Sequence, residues 1–267
     1  MSKITFTVPA SKTPQTVSFD LQDTVVPTIS GTTPLDPVVP PPVVDPPPVV
    51  TPPATPYSIV YSNGYDKDSD LDHAHLQLGK GVVSTTVTKN SAGSFKSIVN
   101  VGDQPISSGF RSENQYDSSL TLPEGAVDFD INFEKWESPG WGGCCIQWHP
   151  GNNDNGGSAL LFMEVAQKNW NVYFWGKGYQ DSYSKVTPIN PNQWYHLRFE
   201  TKWTRDNTGY IRVFIDGNLY WSYTGQTLIS SDIPYVKDGQ NNWANNAKTA
   251  PHGMTLYIDN FVISKKN

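Results

Sequence analysis

Residues with usable chemistry crowd into one stretch, from Cys144 to Tyr179. It carries Gln147-Trp-His149, a Gly/Asn-rich turn, two apolar runs and a second polar-aromatic cluster, Trp175-Gly-Lys177-Gly-Tyr179. If residues 144–149 are extended, Gln147 and His149 share a face and Trp148 takes the other, because successive strand side chains alternate. Arg111 and Glu113 share a face by the same rule. Together these groups could line one groove. The chain also holds nine Trp and thirteen Tyr, a supply large enough to serve two purposes. Aromatic side chains pack well in strands, and their faces also stack on the C–H faces of pyranose rings. The chemistry suggested is therefore recognition of sugars.

Each of these residues also has a plain structural use. His149 would serve as a satisfied structural histidine, Arg111 and Glu113 as an ion pair, and Lys237 as a loop lysine. Trp175 and Tyr179 divide between packing and sugar stacking. Trp194 and Trp203 are assigned to the core. The run Asp66-Lys-Asp68-Ser-Asp70-Leu-Asp72 alternates carboxylates as a calcium loop does. Leu71 and Gln77 stand where an EF-hand needs Gly and Glu, so that motif is excluded. A calcium site of the lectin-sandwich kind, built from Asp66, Asp68, Asp70 and Asp259, remains open beside a solvated acidic loop. No cofactor is required. Cys144 and Cys145 are neighbours, a poor geometry for a disulfide, and are expected to be free thiols, one facing in and one out.

The elements that must position these groups are strands. Alternation is clean in Val127-Asp-Phe129-Asp-Ile131-Asn-Phe133, in residues 195–203 and in Ile211-Arg-Val213-Phe-Ile215. Each run has an apolar and a polar side, as in antiparallel sheets with one face on a core. Asp216-Gly217 between two such runs is a strong hairpin signal. Further strands are expected at 57–62, 81–88, 95–101, 108–113, 118–122, 144–149, 159–167, 170–176 and 254–264. No helical period is convincing. The fold class is all-β: a two-sheet antiparallel jelly-roll sandwich over residues 57–267.

Two segments precede it. Residues 1–26 hold alternating runs at 4–8 and 17–21, a β arm for attachment or oligomerisation; alone, such a hairpin is only marginally stable. Residues 27–56 are low-complexity. Fourteen of the 22 prolines lie at or before Pro56, so polyproline II is favoured there. Thirty such residues would reach roughly 90 Å.

Four ordered groups of motifs resemble the jelly-roll polysaccharide lyases, most closely the heparin-lyase-I type. They are Gly109-Phe-Arg111-Ser-Glu113; Ile146-Gln-Trp-His149; Asn192-Gln-Trp194-Tyr-His-Leu-Arg-Phe with Gly209 to Gly217; and Pro234-Tyr-Val-Lys237-Asp-Gly239 with Leu256-Tyr-Ile-Asp259-Asn260. The resemblance covers residues 57–264. It implies β-elimination at a uronate, with Arg111 and Gln147 holding the carboxylate, His149 as base, and Lys237 binding acidic groups. The family pattern Lys-x-Gly-x-Tyr ends in a catalytic Tyr, whereas this chain has Asn241. Asn exchanges no proton near neutral pH, so the expected acid is missing, with Tyr179 or Tyr183 as substitutes from elsewhere. The string from Tyr173 to Gln180 resembles the alginate-lyase motif Tyr-Phe-Lys-x-Gly-x-Tyr-x-Gln. It stands before the Trp-Tyr-His strand, out of the family's order, and is set aside as coincidence.

The functional expectation is a polysaccharide-binding module on a stalk, a virion fibre or decoration protein touching host glycans. An active lyase is the alternative. The candidate glycan contacts are Arg111, Gln147, His149, Trp175, Lys177, Tyr179 and Lys237. Partners would be a polysaccharide, a viral particle or other anchor through residues 1–26, and further copies of the chain. A net charge of −6 argues against nucleic acid. No run is long and apolar enough for membrane insertion, and residues 1–13 lack a secretory h-region. A virion or extracellular surface is the favoured location.

Overall fold

The alternation of residues 127–133 becomes the inner lining of a sandwich. Val127, Phe129, Ile131 and Phe133 are all buried at 4% exposure or less. They belong to a computed structural model that describes residues 3–8, 15–20, 57–73, 80–106, 109–136, 143–149, 160–166, 169–176, 179–228, 233–243 and 247–267. The chain divides into two units, Met1–Pro52 and Pro53–Asn267.

In the first unit, β1 (Lys3–Val8) and β2 (Gln15–Asp20) pair antiparallel, with Ile4 opposite Phe19 and Phe6 opposite Val17. The polyproline segment, 27–56, lies outside the described residues.

In the second unit the strands are β3 (Tyr57–Asn63), β4 (Lys80–Ser84), β5 (Ser94–Val99), β6 (Gly109–Gln115), β7 (Glu124–Trp136), β8 (Gly143–His149), β9 (Leu160–Ala166), β10 (Asn169–Gly176), β11 (Tyr179–Pro188), β12 (Trp194–Lys202), β13 (Gly209–Ile215), β14 (Asn218–Gly225), β15 (Tyr235–Trp243) and β16 (Met254–Lys266). One sheet runs β14-β13-β12-β7-β16-β5-β4, with β3 also on β16; the other runs β11-β10-β9-β8-β15-β6. Every pairing is antiparallel. The chain changes sheet at β6, β7, β8, β12, β15 and β16. These crossings bring β6, β8 and β15 side by side although far apart in sequence, as a jelly roll does. The core holds Phe95, Trp148, Trp170, Phe174, Phe199 and Phe261. Asp216 and Gly217 both have positive φ, 49° and 76°, the requirement of a type I′ hairpin turn.

Three expectations change. Residues 118–122 form a short 3₁₀ turn, Ser118–Leu120, rather than a strand. Asp117 accounts for this: its Oδ1 accepts the Ser119 N–H (2.7 Å) and its carbonyl that of Leu120 (3.0 Å), closing a turn. Trp203 is buried, but Trp194 is half-buried on the opposite phase of β12, where Tyr195, Leu197 and Phe199 point inward. The polar strands β11 and β15 were absent from the sequence-based strand list. β15 has few apolar residues, yet neighbours pair it on both edges.

The outer face of the larger sheet carries charge. His196 lies 3.2 Å from Asp130 through Nδ1 and 3.6 Å from Asp128 through Nε2. Those two carboxylates, Asp128 first, raise its pKa to about 9 from the usual 6.5. The folded value exceeds the unfolded one, so this contribution to stability is complete below 6.5 and disappears as pH rises through about 9. The side chain is 46% exposed, so screening keeps the effect small. Thermal melts should show wild type losing more stability than His196→Gln between pH 6 and 10. Parallel curves would refute the assignment.

Candidate active site

β15 is the spine of the site. Tyr235 and Lys237, two residues apart, face away from the core, and pairing with β6 brings Asn241 opposite Arg111 on that side. Register sets Tyr235 opposite His149 and Lys237 opposite Gln147 on β8. On β6 it sets Gly239 opposite Glu113 and Asn241 opposite Arg111. The other phase turns inward: Trp148 and Val236 enter the core cluster. Arg111, Gln147, His149 and Lys237, scattered over 127 positions, therefore meet on three adjacent strands. Lys237 is not a loop lysine; it sits within β15 and is 4% exposed.

Glu113 is the hub of this face. Its carboxylate accepts from Gln147 Nε2 at 2.8 Å, Lys237 Nζ at 3.1 Å and Arg111 Nη1 at 3.3 Å. Glu113 is 1% exposed and Gln147 6%, so the face is recessed rather than flat. Arg111 and Glu113 form the ion pair named as the structural alternative, and the pair sits inside the recess. One buried anion among two cations leaves a local charge of about +1, suited to a single carboxylate.

The next row holds what the sequence reading missed. The Tyr235 hydroxyl stands 3.1 Å from His149 Nδ1, and the two rings lie 5.3 Å apart. The Lys237 ammonium sits 5.5 Å from the centre of the Tyr235 ring. A tyrosine thus reaches the histidine two residues before Lys237 instead of four after it. The signal was available: Tyr235-Val-Lys237-Asp-Gly239 supplies the Tyr-x-Lys-x-Gly part of the motif that was matched at 173–180, and here it follows the Trp-Tyr-His strand.

Gly239 has φ 93° and sits where β15 carries an extra residue against β8. A Cβ there would meet the Ser112 carbonyl at 2.4 Å and Glu113 Cα at 3.0 Å. The glycine lets β15 close onto β6 beneath Glu113. Behind it, Asp238 is fully buried and accepts from Tyr65 (2.6 Å), Tyr116 (2.8 Å) and Asn114 (2.9 Å). Burial raises its pKa to about 6, and Glu113 adds to the rise, against the lowering by these three donors. The folded value lies above the unfolded 3.8, so this group's contribution falls as pH climbs from 3.8 through about 6. The stability of wild type relative to Asp238→Asn should decline across that window in urea titrations. A pH-independent difference would refute it.

The remaining candidates are placed as follows. In backbone register Trp175 pairs with Leu160 on β9 and Gln180 on β11. Tyr179 pairs with Gly176 and Tyr183 with Val172. Lys177 lies outside the described residues. Asp66 accepts the Ala92 N–H and Asp70 that of Lys67, while Asp259 is buried and engaged by Lys89 N, Ser91 Oγ and Asn260 N. Among the described residues, no group of three or more His, Cys, Asp or Glu side chains could hold a metal ion. Cys144 and Cys145 form no disulfide and, against the expectation of one facing out, both are buried where β8 bulges between Cys144 and Ile146. No helix of the described residues is long and apolar enough to cross a membrane.

Fold and recess together define a jelly-roll protein of the polysaccharide-lyase class. The chain belongs to the polysaccharide lyase family, whose model matches residues 66–262. A search of curated protein sequences finds no match. Among solved structures, an endo-β-1,4-glucuronan lyase from the fungus Trichoderma reesei is similar at 12% identity and TM-score 0.62, covering 78% of this chain and 96% of that one. The alginate lyase vAL-1 from Chlorella virus matches at 12% identity and TM-score 0.55, covering 78% and 100%. A PL-14 alginate lyase from Aplysia kurodai matches at 17% and TM-score 0.53, covering 77% and 98%. At these identities the likeness is one of fold.

Proposed function

We propose that the recess cleaves a uronic-acid polysaccharide by β-elimination. The observation that carries this is the Tyr235 hydroxyl 3.1 Å from His149 Nδ1, on the face that holds Arg111, Gln147 and Lys237. Arg111, Gln147 and Lys237 neutralise the uronate carboxylate, which makes the adjacent C–H acidic enough to lose its proton. With Nδ1 engaged by Tyr235, His149 takes that proton on Nε2. The C–H electron pair becomes the new C=C bond, the 4-O-glycosidic bond breaks, and Tyr235 protonates the leaving oxygen. The imidazolium then returns a proton to the phenolate across the same contact.

Glucuronan and alginate, the polymers in the names of the similar lyases, are the first substrates to try. Ultraviolet absorbance of the unsaturated product should rise, and His149→Ala should stop it. An undiminished rate in that variant would defeat the mechanism.

Asn241 favours a second reading, in which the groove binds the polymer without cutting it. Affinity electrophoresis would then show retention with no product. In either case, residues 1–26 and the proline-rich segment suit display of the sandwich on a virion or other extracellular surface, in several copies. A full-length chain that sediments as a monomer and binds no particle would argue against that display.

A further inference from the structure

Beyond Arg111, at the edge of the smaller sheet, a cleft of about 360 Å³ opens between β6 and the turn that follows β5. Val99, Phe110 and Ile106 form its apolar lining, and Asp103, Gln104 and Arg111 its polar one. Its walls are fixed. Gly102 N–H donates to the Ala250 carbonyl at 2.8 Å, and Ala250 N–H to the Asp103 carbonyl at 2.7 Å. Asp103 Oδ2 accepts the Asn100 N–H at 2.8 Å, and Ile106 bridges to Gly109. The rim exposes aliphatic surface that the fold leaves uncovered: Ile106 is 37% exposed, and Val101, beside Gly102 in the turn, is 59% exposed.

Arg111 belongs to both places. Its Nη1 contacts Glu113 in the recess, and the same side chain lines the cleft. A polymer lying across β15 and β6 toward Arg111 would run into this cleft next. We propose that the cleft is a further sugar subsite, filled by a pyranose unit of the same chain that the recess holds. This rests on the functional reading above.

The chemistry fits a sugar ring better than a lipid tail or a lone anion. Ile106 and the apolar floor meet a C–H face, while Asp103, Gln104 and Arg111 can pair ring-edge hydroxyls. Asp103 adds a carboxylate to the lining, which disfavours a free anion there. Its volume is at the small end of the range for ligand sites, roughly 300–1,000 Å³. Because the walls are already tied down, binding orders few protein groups.

The test uses uronide oligomers of graded length, prepared from whichever polymer is cleaved. For wild type, kcat/KM should climb with each added sugar until recess and cleft are both occupied. Ile106→Trp should fill the cleft and lower kcat/KM on long oligomers about tenfold while leaving the shortest substrates unchanged. Gln104→Trp, on an exposed residue of the same cleft, should do the same and guards against a folding defect in the first variant. If both folded variants keep the wild-type ratio between long and short oligomers, the subsite is overturned while the lyase reading stands. A wild type inert toward every uronide overturns both.

Discussion

Tyr235→Phe is expected to lower kcat by about 10²–10⁴-fold, with KM close to wild type. The substitution removes one oxygen and no ring. The ring keeps its place beside His149 and near the Lys237 ammonium, so the packing of this corner survives. What is lost is the group 3.1 Å from Nδ1 to which the proposed mechanism assigns protonation of the leaving oxygen. That loss acts in the transition state and not in the ground state, which is why it should fall on kcat. His149→Ala should be at least as damaging, and the double variant little worse than either, because the proposed mechanism makes the two residues one proton relay. Asn241→Tyr is the converse experiment. Introduced into Tyr235→Phe, it should leave kcat low, because position 241 stands opposite Arg111 and not opposite His149. Equal kcat for wild type and Tyr235→Phe, measured by product absorbance, would remove Tyr235 from the mechanism.

The sequence was most informative where one physical pattern dominates. Period-two alternation exposed β7, β12 and β13, because each has one face on the core, and Asp216-Gly217 marked a turn that needs two positive φ angles. Alternation failed for β15. There Lys237, Asp238, Gln240, Asn241 and Asn242 are all buried, on both phases, so no apolar side stands out. Glu113 meets Lys237, Tyr65, Asn114 and Tyr116 meet Asp238, and the Ser97 and Met254 carbonyls meet Gln240, partners that no local window contains. Tyr235 was missed for the same reason. Its reach to His149 is a cross-strand contact set by the register of β15 on β8. Asp238 shows the same limit: nothing local marks it, yet it is fully buried under two tyrosine hydroxyls and an amide.

Glu113→Ala is expected to cost about 3–5 kcal/mol of folding stability, because it strands the buried ammonium of Lys237. The carboxylate is 1% exposed and lies 3.1 Å from that ammonium, which is itself 4% exposed. Gln147 and Arg111 lose an acceptor in the same step, so the cost is more than one ion pair. Glu113→Gln separates charge from shape. It fills the same volume but turns an amide N–H toward three donors and raises the local charge from about +1 to about +2. It should therefore also destabilise, though less than alanine, and steepen the salt dependence of any acidic polymer's binding. Coupling supplies the decisive comparison. Lys237→Met removes the stranded cation, so the Glu113→Ala/Lys237→Met pair should recover part of the loss, a coupling of about 0.5–3 kcal/mol in urea midpoints. Strict additivity would mean that Glu113 merely neighbours Lys237. A measurable coupling makes it the group that holds the donors of the recess in place before any sugar arrives.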